Sequence, residues 1–346
     1  MQHLKVYHKQ DILALTKIRK FETKLGEQVL VAADPGNPAA SIEGATAEYV
    51  LLGIPEDIGV RANEGRGGED TAWSQFLKNF LNIQSNDFLT GGSILVLGYF
   101  DFSELSRLIE ANAYGHEEKL MAYRHAVVSI DQEVEHLIKI ITAAGKIPIV
   151  VGGGHNNAYP LIKGAAKGLH KAGLTPLAQI NAVNLDAHTG FRPIEGRHSG
   201  NAFRYAEEDG FLEKYCVIGV HENTLPQNVW LDIINNPFVD LITYEDIFVL
   251  EKRNFTQAVA HATGFTEDNY IGLELDLDVL GPVGAGMPPA GLGSVQARQY
   301  VTFAAMDSKI AYFHICEGIF SLCHGQTGPA GQLISTIVSD FLKARE

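Results

Sequence analysis

The sequence predicts an α/β protein built on a parallel sheet covered by helices on both faces. Two observations lead there. Short runs rich in Val, Ile and Leu recur along the chain, each followed by a loop and then by a stretch with helical spacing. The runs are also apolar throughout instead of alternating, as strands buried on both faces must be.

Eight such runs are candidate strands, at 49–54, 94–100, 147–151, 180–185, 216–220, 240–243, 270–277 and 311–316. Between them, amphipathic spacing with Ser, Asp or Asn near several starts predicts helices at 70–83, 117–144, 157–172, 254–263, 294–306 and 330–344. No linker, repeat or low-complexity run divides the chain. We read residues 1–45 as an amino-terminal extension and 46–346 as a single domain.

Composition narrows the function. With 46% hydrophobic and 20% charged residues the chain suits a globular protein, and its formal charge of -14 argues against nucleic acid or anionic membrane as the main partner. The cysteines, Cys216, Cys316 and Cys323, form no CxxC pair, which predicts neither a disulfide framework nor a zinc ribbon and favours a reducing compartment. The amino terminus carries charges throughout, and no apolar run reaches the roughly 18 residues of a membrane span, so a cytoplasmic protein is expected.

In open parallel sheets ligands bind beyond the carboxyl ends of the strands. Three such ends carry metal-binding groups: Gly152-Gly153-Gly154-His155, Asp186-Ala187-His188 and Asp276-Leu277-Asp278. Residues two apart on an extended segment share a face, so each pair of donors can aim at one point. A mixed imidazole and carboxylate shell suits Mn2+ or a similar first-row ion better than Ca2+ or Mg2+. Taken singly each piece has a plainer reading: a glycine-rich turn lets a helix pack closely, and a lone histidine is usually an ordinary one. Their order and their place at strand ends favour metal. The chain lacks the GK[ST] of a phosphate-binding loop after GGGH and has no GxGxxG after its first long strand.

GGGH at 152–155, DAHT at 186–189 and LDLD at 275–278 resemble the three signatures of the ureohydrolases, the family of arginase, agmatinase and formimidoylglutamase. The resemblance implies a three-layer α/β/α fold with an eight-stranded parallel sheet, a pair of Mn2+ ions and a homo-oligomer, trimer or hexamer. GVRANEGRGG at 59–68, Arg192 and HSGNAF at 198–203 are most similar to formimidoylglutamase, which hydrolyses N-formimidoyl-L-glutamate, an intermediate of histidine breakdown, to glutamate and formamide. A guanidino substrate is the alternative.

By the same resemblance the metal ligands are His155, Asp186, His188, Asp276 and Asp278. Asp278 would orient the attacking water and return its proton, and His198 would shuttle a proton near the leaving group; Glu317, near the site by its place at the last strand end, would help bind the amidine. Arg61, Asn63, Arg66, Arg192, Ser199 and Asn201 would bind substrate, with arginine gripping carboxylate bidentately; Arg197 lies in the same loops.

Two departures stand out. The family pattern is Asp-Ala-His-x-Asp, and Gly190 occupies the last acid's place. One ion would then have His155, Asp186 and Asp276 only, while the other would keep the complete set Asp186, His188, Asp276 and Asp278. Water or Glu195 could fill the gap, one ion could suffice, or the chain could be a weak or inactive member. The second departure is Leu280-Gly281-Pro282, where an acid often precedes proline. It leads into a glycine- and proline-rich loop at 283–293, expected as a wall of the site. His221 and His324 read as ordinary histidines, and His314 is expected near the site from its strand end.

Overall fold

The computed structural model describes residues 1–281, 291–307, 309–318 and 329–345. Pro282, most of the loop at 283–293, Cys323 and His324 lie outside the described residues.

Nine strands form one sheet: β1 (Leu4–Val6), β2 (Tyr49–Gly53), β3 (Ile94–Phe100), β4 (Ile147–Val151), β5 (Ile180–Leu185), β6 (Leu212–Val220), β7 (Val239–Thr243), β8 (Ile271–Asp276) and β9 (Ile310–Cys316). Their order across the sheet is β1-β3-β2-β4-β9-β8-β5-β6-β7. All eight expected strands are present and parallel. The correction is the ninth, β1, which lies antiparallel to β3 with Leu4 opposite Phe100 and Val6 opposite Gly98. At three residues, LKV is too short to show a period, so its sequence gave no strand signal. It covers the open edge of β3.

Alternate strand residues face opposite layers. Tyr49 and Leu51 of β2 pack in one apolar cluster with Trp73, Phe76 and Phe80 of helix Ala72–Phe80 and with helices Phe255–Phe265, Ser294–Asp307 and Pro329–Lys343. Val50 and Leu52 pack in the other with the long helix His116–Ala143 and with Ala158–Lys171 and Ala202–Glu208. The six expected helices all appear. Short ones, such as Pro38–Gly44, Ser103–Asn112 and Gln227–Ile234, add to them.

No helix among the described residues is long and apolar enough to cross a membrane. Residues from the amino-terminal 45 join the sheet edge through β1 and through a bridge from Leu30 to Leu95.

Gly98 makes the edge possible. Its φ is +155°, and a Cβ there would overlap the Lys5 carbonyl oxygen on β1. Gly98→Ala is therefore expected to cost about 1–3 kcal/mol and to loosen β1. Hydrogen exchange of Leu4–Val6 checks it: unchanged protection in a variant of wild-type stability would contradict the account.

Candidate metal centre

The central strands converge on one cavity of about 530 Å3. Its lining includes His155, Asp186, His188, Gly190, Asp276, Asp278 and Glu317, together with Asn63, Arg66, Glu69, Arg192 and Ser199.

The GGGH turn follows β4. Gly152 and Gly153 have φ of +99° and +81°, and a Cβ on Gly153 would overlap the Ile54 carbonyl oxygen, so the turn needs glycine to bring His155 under the neighbouring strand ends. His155 Nδ1 lies 2.9 Å from Asp276 Oδ2 and 3.2 Å from Asp186 Oδ2. These three side chains place donor atoms within 4.8 Å of one another, all buried, a set that fits a divalent cation. The other ring nitrogen, Nε2, has no hydrogen-bond partner and lies 3.4 Å from Glu274 Oε2.

His188 and Asp278 line the cavity but stand outside that tight set. Here the expectation of paired donors on extended backbone is corrected. β5 ends at Leu185 and β8 at Asp276, and Leu277–Val279 is a turn of 3-10 helix. Asp186 accepts from the His188 backbone N–H at 2.7 Å, and Asp276 from that of Asp278 at 2.7 Å, so each first acid caps the turn that carries the second donor. His188 Nδ1 is 3.7 Å from Asp186 Oδ1.

Gly190 has φ of +59°, and a Cβ on it would lie 2.5 Å from the Phe203 ring. That ring packs edge-on against His155, with centroids 5.2 Å apart, and stacks on Tyr215 at 4.3 Å. An aromatic wall thus stands beside Gly190. Glu195 is engaged elsewhere: Oε1 accepts from Arg192 at 3.2 Å and lies 3.2 Å from His198 Nε2.

Burial and mutual repulsion set the charges. Burial, then the Asp186 and Asp278 charges, push the Asp276 carboxyl up to about 7 against the His155 hydrogen bond. Burial also opposes charge on Asp186, but hydrogen bonds to His155 and His188 hold it well below the usual range. His188 loses by burial and gains more from Asp186, reaching about 9. Glu317, at φ +56°, accepts from the His155 backbone N–H at 2.7 Å; burial and the Asp276, Asp278 and Glu69 charges raise its carboxyl well above normal.

The substrate-binding expectations divide. Asn63, Arg66, Arg192 and Ser199 line the cavity, with Arg66 and Arg192 exposed. Arg61 and Asn201 are corrected. Arg61 is outside the lining, bound to Asp57 at 2.8 Å, and Asn201 is buried, accepting from Arg197 and from the His198 backbone N–H. Arg197 itself pairs with buried Asp131 at 2.9 Å.

His198 is also corrected. It is fully buried off the cavity, its Nδ1 accepting from Gly200 N–H, and burial together with Arg192 pushes it down to about 4, so it braces the 192–200 loop. His314 lies one row below the site, bound to Glu274 at 2.6 Å.

Two buried acids escaped sequence reasoning. Glu274 accepts from Tyr312 at 2.7 Å; burial opposes its charge, but His314 and His155 hold it down at about 2. Its signal was present, an acid inside a strand buried on both faces. Glu69 lines the cavity at 1% exposure.

A model of the arginase family matches residues 47–318. A formimidoylglutamase of Corynebacterium efficiens is 30% identical over 225 residues, covering 61% of this chain and 67% of that protein. Among solved structures, formimidoylglutamase from Bacillus subtilis superposes with a TM-score of 0.72 at 16% identity, over 95% of this chain and 93% of that one. A Trypanosoma cruzi formiminoglutamase solved with Mn2+ gives 0.66 at 19%, over 88% and 97%.

The family match, on a three-layer α/β fold with buried donors at the strand ends, gives the class, the metal-dependent amidino hydrolases. The chain belongs to the arginase family, the amidino hydrolases.

Two predictions follow from this geometry. Asp276, Glu69 and His188 all hold protons in the folded, metal-free chain above their ordinary values, to about 7, 8 and 9. The folded state then binds more protons than the unfolded one between about pH 4 and 9, and stability falls as pH rises through that window. The melting temperature in chelator should drop from pH 6 to pH 9, and Mn2+ should raise it most at the alkaline end. A flat or rising profile in chelator would refute this. Gly190→Asp should destabilise the metal-free chain by about 1–3 kcal/mol through the Phe203 contact, read by denaturant unfolding.

Proposed function

We propose that this chain hydrolyses N-formimidoyl-L-glutamate to L-glutamate and formamide with Mn2+. The observation that carries the reading is the cavity's polarity. Its floor is acidic and buried, with Asp186, Asp276, Glu317 and Glu69, whereas Arg66 and Arg192 are exposed at its mouth. An extended ligand with a cation at one end and carboxylates at the other fits that gradient. The names of the relatives support the same substrate, and the T. cruzi structure supports the metal.

His155, Asp186 and Asp276 would hold an ion on the side where Gly190 offers no donor, and His188 and Asp278 would join the two shared acids around a second. When bound, Mn2+ would supply Lewis acidity that eases ionisation of water near neutral pH. Arg66 and Arg192 orient the glutamate carboxylates, and Glu317 accepts from the amidinium N–H groups. Water adds to the formimidoyl carbon, and the bond from that carbon to the glutamate nitrogen breaks. Asp278 takes the water proton and passes it to the leaving nitrogen.

Gly190 and the Phe203 wall favour a second reading, in which the chain binds an amidine with little turnover. One assay separates the two. Chelator-stripped protein given Mn2+ should release formamide from N-formimidoyl-L-glutamate. Urea released from a guanidino compound, with no formamide, would move the assignment within the family; no turnover at any Mn2+ level would favour the binder.

A further inference from the structure

Glu69 is the cavity acid with nothing to do. It opens the short turn Glu69–Thr71 behind Gly67 and Gly68, whose φ values of +77° and +121° fold the chain back on itself. The residue is 1% exposed, yet it lines the cavity beside Asp278 and Glu317. Its own backbone N–H bonds the carboxylate, but Oε2 is buried without a partner among the described residues.

A buried carboxylate oxygen left unpaired costs free energy that a folded chain ordinarily avoids. The surroundings do not relieve it. Arg61, the nearby cation, is committed to Asp57 at 2.8 Å, and the Glu56 and Asp57 charges repel it. Among the described residues Arg66 forms no ion pair with it. Glu69 is also absent from the groups whose donor atoms come together around His155, and a bare ion held at Asp278 would supply charge without N–H groups to donate. What remains is a cation brought in by the ligand, with N–H groups to donate.

We propose that Glu69 is a specificity residue that, with Glu317, accepts hydrogen bonds from the substrate's amidinium and selects a cationic amidine over a neutral amide of the same length. This rests on the amidine-hydrolase reading given above. Burial and the neighbouring acids push Glu69 up to about 8, and a cation beside it reverses that strain.

The test uses the Mn2+-loaded full chain, with formamidinium chloride as probe of the floor and L-glutamate as probe of the mouth, each titrated calorimetrically. Glu69→Gln keeps the shape and removes the carboxyl that can ionise beside a cation, and should fold about as stably as wild type at neutral pH, where burial already keeps the ligand-free carboxyl protonated. It should weaken formamidinium by about tenfold or more, the worth of a charge-assisted hydrogen bond, and leave glutamate unchanged. Glu69→Asp should recover part of the loss, and in turnover Glu69→Gln should raise KM more than it lowers kcat.

No formamidinium binding by wild type, unchanged binding by Glu69→Gln, or an equal loss of glutamate would each overturn the assignment. Failure of the hydrolase reading looks different. Formamide would not be released from N-formimidoyl-L-glutamate, while formamidinium would still bind through Glu69.

Discussion

Everything at the centre of this molecule answers to one constraint: three carboxylates, Asp186, Asp276 and Glu274, sit at 0–3% exposure at or just inside the ends of parallel strands. Carboxylates there survive only with positive charge or donors within reach. His155 is placed between them, its Nδ1 toward Asp186 and Asp276 and its Nε2 toward Glu274. The glycine turn after β4 and the left-handed backbone of Glu317 bring the supporting groups to that point.

The register of β8 and β9 layers this chemistry. Glu274 pairs with His314 and Asp276 with Cys316, so one row of the ladder faces the cavity and the next lies beneath it. Beneath, Tyr312 and His314 complete the bonding of Glu274 and give it a fixed negative charge against His155. At the rim, Arg192 is held by Glu195 and Glu195 by His198.

Much of this was legible in the chain. Uninterrupted apolar runs marked eight strands because a strand buried on both faces has no polar side to alternate with, and β1 escaped because three residues carry no period. The three strand-end motifs marked residues that meet at one cavity. What the sequence could not show was the backbone between them. Extended geometry was the natural expectation for D-A-H and D-L-D, yet both bend at the first acid, whose side chain caps the turn. The loop arginines looked alike in sequence. Only packing separates Arg61 and Arg197, each paired to an internal acid, from Arg66 and Arg192 at the cavity.

The contact between Gly190 and Phe203 also bears on how this site can change over time. With the ring lodged between His155 and Tyr215, the value of an acid at 190 depends on what occupies 203. A side chain at 190 would be accommodated only together with a change at 203, so the effects of substitutions at the two positions should not add.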